Sequence, residues 1–278
     1  MTRSVYIEQY QRLLDAIVNN ADRSIKTIIS EQLLSLHRMP TTPTQFAQSL
    51  LAPDQYRAYS TILNCIGSPS QRNWPFYFLT GSAGTGKSFL LKSILHALTQ
   101  GIGTYRRHKV LLLAPTGIAA MNINGSTIHS ALRIKSGNTE KGHQSSFTTL
   151  LWNDNDLQNH LREFTTIIID EVSMVSSDLL SYLSDLFGRL HNNHRPFGNK
   201  NVILVGDLFQ LPPVTGSQVF HAPVWSLFYP LILSTSHRQG QDAAFFQILE
   251  ELRFGQPSMD TINKLIRKVR EYTLKTMF

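Results

Sequence analysis

The chain has 278 residues, 42% of them hydrophobic and 16% charged, a balance that supports a packed core and excludes a disordered polyelectrolyte. Lys and Arg number 26 against 19 Asp and Glu, a formal charge of +7 that favours a polyanionic partner, nucleic acid first, without selecting one. No apolar run reaches the ~20 residues needed to cross a bilayer, the opening residues mix Arg3 and Arg12 with Glu8 and Asp15, and Cys65 is the single cysteine, so a soluble, intracellular, reduced protein is expected.

Taken in order, residues 1–39 carry apolar side chains at helical spacing (Leu13, Leu14, Ile17, Val18, then Ile25, Ile28, Ile29, Leu33, Leu34), closed by Pro40 and the polar run Thr41 to Thr44. The reading for residues 1–44 is an accessory helical segment and linker. Beyond it, five short runs are apolar without alternation: Phe76 to Leu79, Val110 to Leu113, Ile167 to Ile169, Val202 to Val205 and Leu231 to Leu233. Continuous hydrophobicity is what strands buried on both faces of a parallel sheet require. A helix is expected after the first run, from Phe89 to Leu98, ended by Gly101 and Gly103. The alternation predicts an α/β fold, a mostly parallel sheet flanked by helices through right-handed crossovers. The stretches Lys135 to Ser146 and His191 to Pro196 read as polar surface loops.

Between the first run and its helix lies Gly81-Ser82-Ala83-Gly84-Thr85-Gly86-Lys87-Ser88, a complete G-x-x-x-x-G-K-[ST] P-loop in strand-to-helix context. Its glycines let backbone N–H groups converge on phosphates at a helix N-terminus, where the dipole also favours negative charge. Lys87 then reaches the β- and γ-phosphates, and the Ser88 hydroxyl is a ligand for Mg²⁺. ATP and Mg²⁺ are therefore the expected cofactors. The run Ile167 to Ile169 leads into Asp170-Glu171, two carboxylates at the C-terminal end of a strand, where open α/β sheets place ligands. Asp170 suits Mg²⁺, and Glu171 suits orienting and deprotonating an attacking water. After Val205 comes Gly206-Asp-Leu-Phe-Gln210-Leu-Pro-Pro213. Gln210 is a candidate reporter of the γ-phosphate, while the segment alone reads equally as a Pro-terminated strand and loop.

Together these segments resemble the superfamily-one DNA helicases of the Pif type (petite integration frequency), relatives of the bacterial RecD enzymes. The residues that carry the resemblance are Leu51 to Gln55, Gly81 to Ser88, Ala114 to Ala120 with Gly125 to Ser130, Asp170 to Met174, Gly206 to Pro213, and His237-Arg238-Gln239 with Phe245, Leu249, Leu252, Arg253 and Gly255. A DEAD-box RNA helicase would differ at Val172 and Ser173.

The resemblance implies a RecA-like P-loop NTPase domain over residues 45–228 and the start of a second, incomplete RecA-like domain over 229–278. It implies that Gln55 reads the adenine edge and that Arg238 acts as a finger on the γ-phosphate. It also implies that Pro115, Thr116, Gly117, Thr127 and His129 line a single-strand path, with small hydroxyls tracking the sugar-phosphate backbone. On the residues alone, helix-capping threonines and a core-packed His129 fit as well. The implied activity is an ATP-dependent DNA helicase of 5′ to 3′ polarity, monomeric, acting on single strands or junctions in repair, recombination or telomere maintenance, and nuclear in a eukaryote.

The family pattern continues into segments that this sequence lacks. After Gly255 come only Pro257 to Phe278, a basic stretch with Lys264, Arg267, Lys268 and Arg270 that is expected to be helical. Leu208 stands where the family usually has phenylalanine. A nucleotide- and DNA-binding fragment without efficient turnover, or a P-loop ATPase acting on RNA, are the competing readings. His191, His194, His221 and His237 read as loop histidines rather than zinc ligands, and Trp74, Trp152 and Trp225 as packing anchors.

Overall fold

The structure, a computed structural model, describes residues 50–67, 76–100, 108–137, 146–235 and 243–276. The segment 1–44, Trp74 and the stretch with His237, Arg238 and Gln239 lie outside the described residues.

Eight strands and eight α-helices make up the described chain: α1 (Pro53–Gly67), β1 (Phe76–Gly81), α2 (Lys87–Gln100), β2 (Val110–Ala114), α3 (Gly117–Asn122), β3 (Ser126–Thr127), α4 (Ile128–Ala131), β4 (Ile134–Gly137), β5 (Ser146–Thr149), α5 (Asn155–Arg162), β6 (Thr166–Ile169), α6 (Ser177–Leu190), β7 (Asn201–Gly206), β8 (Phe228–Leu233), α7 (Ala243–Arg253) and α8 (Met259–Thr276). The six-stranded sheet runs β3-β2-β6-β7-β1-β8, and every pairing in it is parallel. The five apolar runs all fall on its strands.

The unbroken apolar runs follow from burial on both faces. On one face Phe76, Phe78, Leu111, Leu113, Ile167, Ile169, Val202 and Leu204 pack with Leu179, Leu183 and Leu186 of α6. On the other, Tyr77, Leu79, Ile168, Ile203 and Val205 pack with Ile62, Leu63 and Ile66 of α1 and Leu90, Leu91 and Ile94 of α2. Successive residues of one strand thus serve opposite layers, so no polar position can be spared. Edge strand β8 is the exception, with Tyr229, Pro230 and Ile232 exposed among buried Phe228, Leu231 and Leu233. It carries Pro230, which an edge tolerates because a missing N–H there breaks no ladder on the outer side.

Three expectations change. The sheet continues past residue 228, because β8 pairs with β1 from Phe76↔Phe228 to Gly81↔Leu233, so a boundary there cuts a strand of the sheet. The expected loop from Lys135 to Ser146 is bounded by strands: Ile134↔Thr149 to Gly137↔Ser146 form an antiparallel pair. His191 is not a solvated loop residue, since its Nε2 is buried with no hydrogen-bond partner among the described residues. The two described tryptophans are packing anchors: Trp152 and Trp225 both lie against the first core. The basic C-terminal stretch is helical over Met259–Thr276, as its spacing predicts.

Candidate nucleotide site and nucleic-acid face

All strands of the sheet point the same way, so their C-terminal ends share one edge. The order β6-β7-β1 places Asp170, Asp207 and the loop from Gly81 at three adjacent strand ends. Adjacency is what the sequence alone could not supply, since β1 and β7 are separated by more than a hundred residues.

The loop is bent by two of its three glycines. Gly84 and Gly86 have φ of 86° and 80°, the left-handed region that side chains resist. Gly81 instead ends β1 and is glycine for space: a Cβ there would stand 2.6 Å from the Leu233 carbonyl oxygen. Buried Thr85 donates through Oγ1 to the Ser82 carbonyl at 2.9 Å, tying the bend to itself. Helix α2 begins at Lys87 immediately after, so its first N–H groups face the loop.

Gln55, 1% exposed, braces this loop from α1: its Nε2 donates to the Thr85 carbonyl at 3.0 Å while its Oε1 accepts from the Ala52 N–H at 3.0 Å. The neighbouring Asp54 carboxylate accepts N–H groups of Ser234 and Thr235, both at 2.9 Å, and so anchors α1 to the end of β8. Burial raises the Asp54 pKa, but these backbone donors outweigh it and hold the carboxyl below its ordinary value.

Lys87 lies half-buried, its ammonium donating to the carbonyls of Gly81 at 2.7 Å and Ser82 at 3.2 Å. Burial lowers its pKa below the ordinary lysine range against the opposing pull of Asp207, Glu171 and Asp170. Burial likewise pushes Asp170 up to about 6, helped by the Glu171 charge and resisted by the Glu171 N–H, which its Oδ1 accepts at 2.9 Å, and by Lys87. A carboxylate kept that short of counter-charge suits a hard cation, and the Ser88 hydroxyl is exposed at the head of α2. By donor chemistry, Asp170 and Ser88 are the residues that could hold Mg²⁺ here.

Glu171 adopts φ 53°, ψ 45°, a left-handed conformation that costs a non-glycine residue about 1–2 kcal/mol. The turn rests against Gly206, where a Cβ would lie 2.9 Å from the Val172 nitrogen. Strain held by such close packing is a mark of a functional position. Gln210 is exposed in the turn after β7, where its N–H donates to the Asp207 carbonyl at 2.9 Å. Sequence reasoning gave no role to Asp207, which is 1% exposed and bound by both carboxylate oxygens to Arg253. The sequence carries a signal for it, an acid ending a buried apolar strand just as Asp170 does.

Along the same edge, β2 leads through Pro115 and Thr116 into α3, and β3 leads into α4. Thr116 Oγ1 accepts the Ala119 N–H at 3.3 Å and Thr127 Oγ1 accepts the Ser130 N–H at 3.2 Å, so both threonines are helix N-caps. Capping uses a lone pair and leaves the hydroxyl hydrogen to donate elsewhere, so it does not compete with a phosphate contact. Gly117 is exposed and a Cβ there would meet nothing within 4 Å. Ile118 beside it is 72% exposed, and His129 is half-buried.

A parallel sheet with a glycine-rich strand-to-helix loop, its lysine, and carboxylates on the adjacent strand ends defines a P-loop nucleotide-binding fold of the RecA-like class. A sequence model of the PIF1-like helicase family matches residues 50–261, and the chain belongs to that family. The ATP-dependent DNA helicase PIF1 of Saccharomyces cerevisiae is 34% identical over 197 residues, covering 66% of this chain and 22% of that protein. The ATP-dependent DNA helicase RRM3 of the same species is 35% identical over 200 residues, covering 69% and 27%. Among solved structures, the Pif1 helicase from Candida albicans superposes with a TM-score of 0.63 at 31% identity, covering 78% of this chain and 47% of that one. The Pif1 helicase from Bacteroides in complex with ADP-AlF3 and ssDNA gives 0.60 at 27%, covering 77% and 48%. The chain therefore spans about a quarter of these curated relatives and about half of the solved chains. Among the described residues no helix is long and apolar enough to cross a membrane.

Proposed function

We propose that this chain is the ATP-hydrolysing part of a DNA helicase, coupling Mg-ATP turnover to movement on single-stranded DNA. The convergence of the Lys87 loop, Asp170, Glu171 and the Gln210 turn on neighbouring strand ends supports it most directly. Gly81 to Gly86 cradle the phosphates through backbone N–H groups, and Lys87 exchanges two loop carbonyls for the β- and γ-phosphate oxygens. Bound Mg²⁺, held by Ser88 and Asp170, would neutralise charge on the transferred phosphoryl group. Glu171 orients and deprotonates the attacking water, and Gln210 reports the γ-phosphate to the turn that bears it. Gln55 acts as both loop brace and adenine reader. By the family reading, Arg238 supplies the arginine finger.

Pro115, Thr116, Gly117, Thr127 and His129 form the strand path, with hydroxyl and backbone donors set on phosphates rather than base edges. The 5′ to 3′ polarity, action as a monomer on strands or junctions, roles in repair, recombination or telomere maintenance, and nuclear residence follow the family reading. In domain terms, residues 45 to about 235 form the first motor domain, α7 and α8 open the second, and 1–44 is accessory.

Steady-state ATPase activity with Mg²⁺, with and without single-stranded DNA and beside Glu171→Gln, tests this reading. Turnover that DNA raises and the variant abolishes is the expected result. Nucleotide and DNA binding without turnover would reduce the chain to a binding fragment, and stimulation by RNA but not DNA would reassign the substrate.

A further inference from the structure

Arg253 closes α7 with its guanidinium laid on the Asp207 carboxylate, Nε to Oδ2 at 3.0 Å and Nη2 to Oδ1 at 2.8 Å. The cation is also stacked, 4.7 Å from the Phe209 ring centroid and 5.2 Å from that of Phe254, two rings that meet edge to face at 5.1 Å. Glu250 of the same helix adds a longer contact at 3.4 Å. Asp207 in turn accepts the Phe209 N–H at 3.1 Å and, through its carbonyl, the Gln210 N–H at 2.9 Å. The guanidinium therefore ties Asp207, the residue on which the turn after β7 is built, to the end of α7.

The pair also sets the charge that Lys87 meets. Asp207 is almost wholly buried and follows Gly206, which is in register with Thr80 on β1, so it ends its strand beside Gly81, whose carbonyl holds the Lys87 ammonium at 2.7 Å. Its charge favours the Lys87 cation and that of Arg253 opposes it. A buried carboxylate must have a cation, and losing one partner leaves a strong demand for another. While Arg253 meets that demand in a fork geometry, the Lys87 ammonium rests on the neutral carbonyls of Gly81 and Ser82, a hold that phosphate oxygens outcompete.

We propose that Arg253 is a positioning residue of the nucleotide site: by occupying Asp207 it keeps Lys87 available to phosphate, and through α7 it links that availability to the segment following the sheet. The proposal rests on the reading of the Lys87 loop as a nucleotide site. Without Arg253, Lys87 is the cation drawn into Asp207, and the loop loses its charge on the phosphates.

The test is ADP affinity, measured by calorimetry with Mg²⁺ on the whole chain, for the wild type, Arg253→Gln, Lys87→Ala and the pair combined. Arg253→Gln is expected to weaken ADP about tenfold or more alone and less than about twofold once Lys87 is absent. Asp207→Asn added to Arg253→Gln removes the unpaired buried charge. It should return ADP affinity to within about threefold of wild type and keep the chain folded, as a thermal melt would verify. Equal weakening by Arg253→Gln with and without Lys87 would overturn the assignment and leave a purely structural ion pair. A folded wild type that binds no ADP would overturn the nucleotide reading and this assignment together.

Discussion

The Lys87 ammonium donates to the Gly81 carbonyl at 2.7 Å, across the loop whose phosphates it is proposed to hold. Burial disfavours that charge, so the fold carries Lys87 at a cost that nucleotide relieves. Lys87→Met keeps the apolar stem and removes the charge. The nucleotide-free variant should melt no lower than wild type, while ADP affinity falls by about tenfold or more. Paired thermal melts and calorimetry check both halves, and a large loss of stability would mean that Lys87 chiefly braces the loop.

Glu171 is held at φ 53°, which separates its chemistry from its backbone. Glu171→Gln leaves the strain in place and should preserve nucleotide binding while lowering turnover about a hundredfold or more. Glu171→Gly relieves the strain and should raise stability by about 1 kcal/mol while abolishing turnover. Single-turnover hydrolysis and denaturant unfolding give the two readouts. Unchanged turnover in the glutamine variant would remove Glu171 as the base.

For the strand path, the difficulty is that Thr116 already has a structural task. Thr116→Asp retains the cap on the Ala119 N–H and favours the α3 dipole, so folding should hold, yet its charge would repel a passing phosphate. Gly117→Ala fills open space at the first residue of α3 and should cost no stability. Both are expected to weaken single-stranded DNA binding, the aspartate by about tenfold. The wild-type salt dependence should have a logarithmic slope of about −0.7 per phosphate contact. Binding indifferent to salt and to both substitutions would place the strand elsewhere.

These cases show which parts of the molecule sequence can reveal. The central strands were legible because a sheet covered on both faces favours unbroken apolar runs, and the P-loop because its glycines, lysine and serine each have a separate steric or chemical reason. Strand β3 has two residues and offers too little pattern to read. The β4–β5 pair is polar enough to pass for a loop, because each of its four-residue strands sends a single large apolar side chain, Ile134 or Phe147, to the core. The Asp207–Arg253 pair was invisible for a different reason: its partners are 46 residues apart, and only the sheet order brings α7 over the end of β7. Arg238, which the family resemblance singled out, lies outside the described residues.

His191 supplies a prediction that is independent of nucleotide. Its Nε2 is buried without a hydrogen-bond partner among the described residues, and its ring lies against Gly198, where a Cβ would stand 3.0 Å from His191 Cδ2. Burial, then the charges of Lys200 and Arg162, lower its pKa from 6.5 to about 4. The folded chain therefore keeps His191 neutral while the unfolded chain takes up a proton as pH falls through 6.5. The stability associated with this residue is complete above pH 6.5 and is lost as pH falls towards about 4, where the folded form protonates too. Discounted for partial solvent access, the loss is on the order of 1–3 kcal/mol. His191→Phe keeps a ring in the space and removes the proton site, so its denaturation midpoint should fall less than that of wild type between pH 7 and pH 4.5. Asp170, raised to about 6, acts with the opposite sign over part of this range, but it is common to both proteins and cancels in the difference. Parallel acid limbs for the two chains would show that His191 does not set the acid sensitivity of the fold.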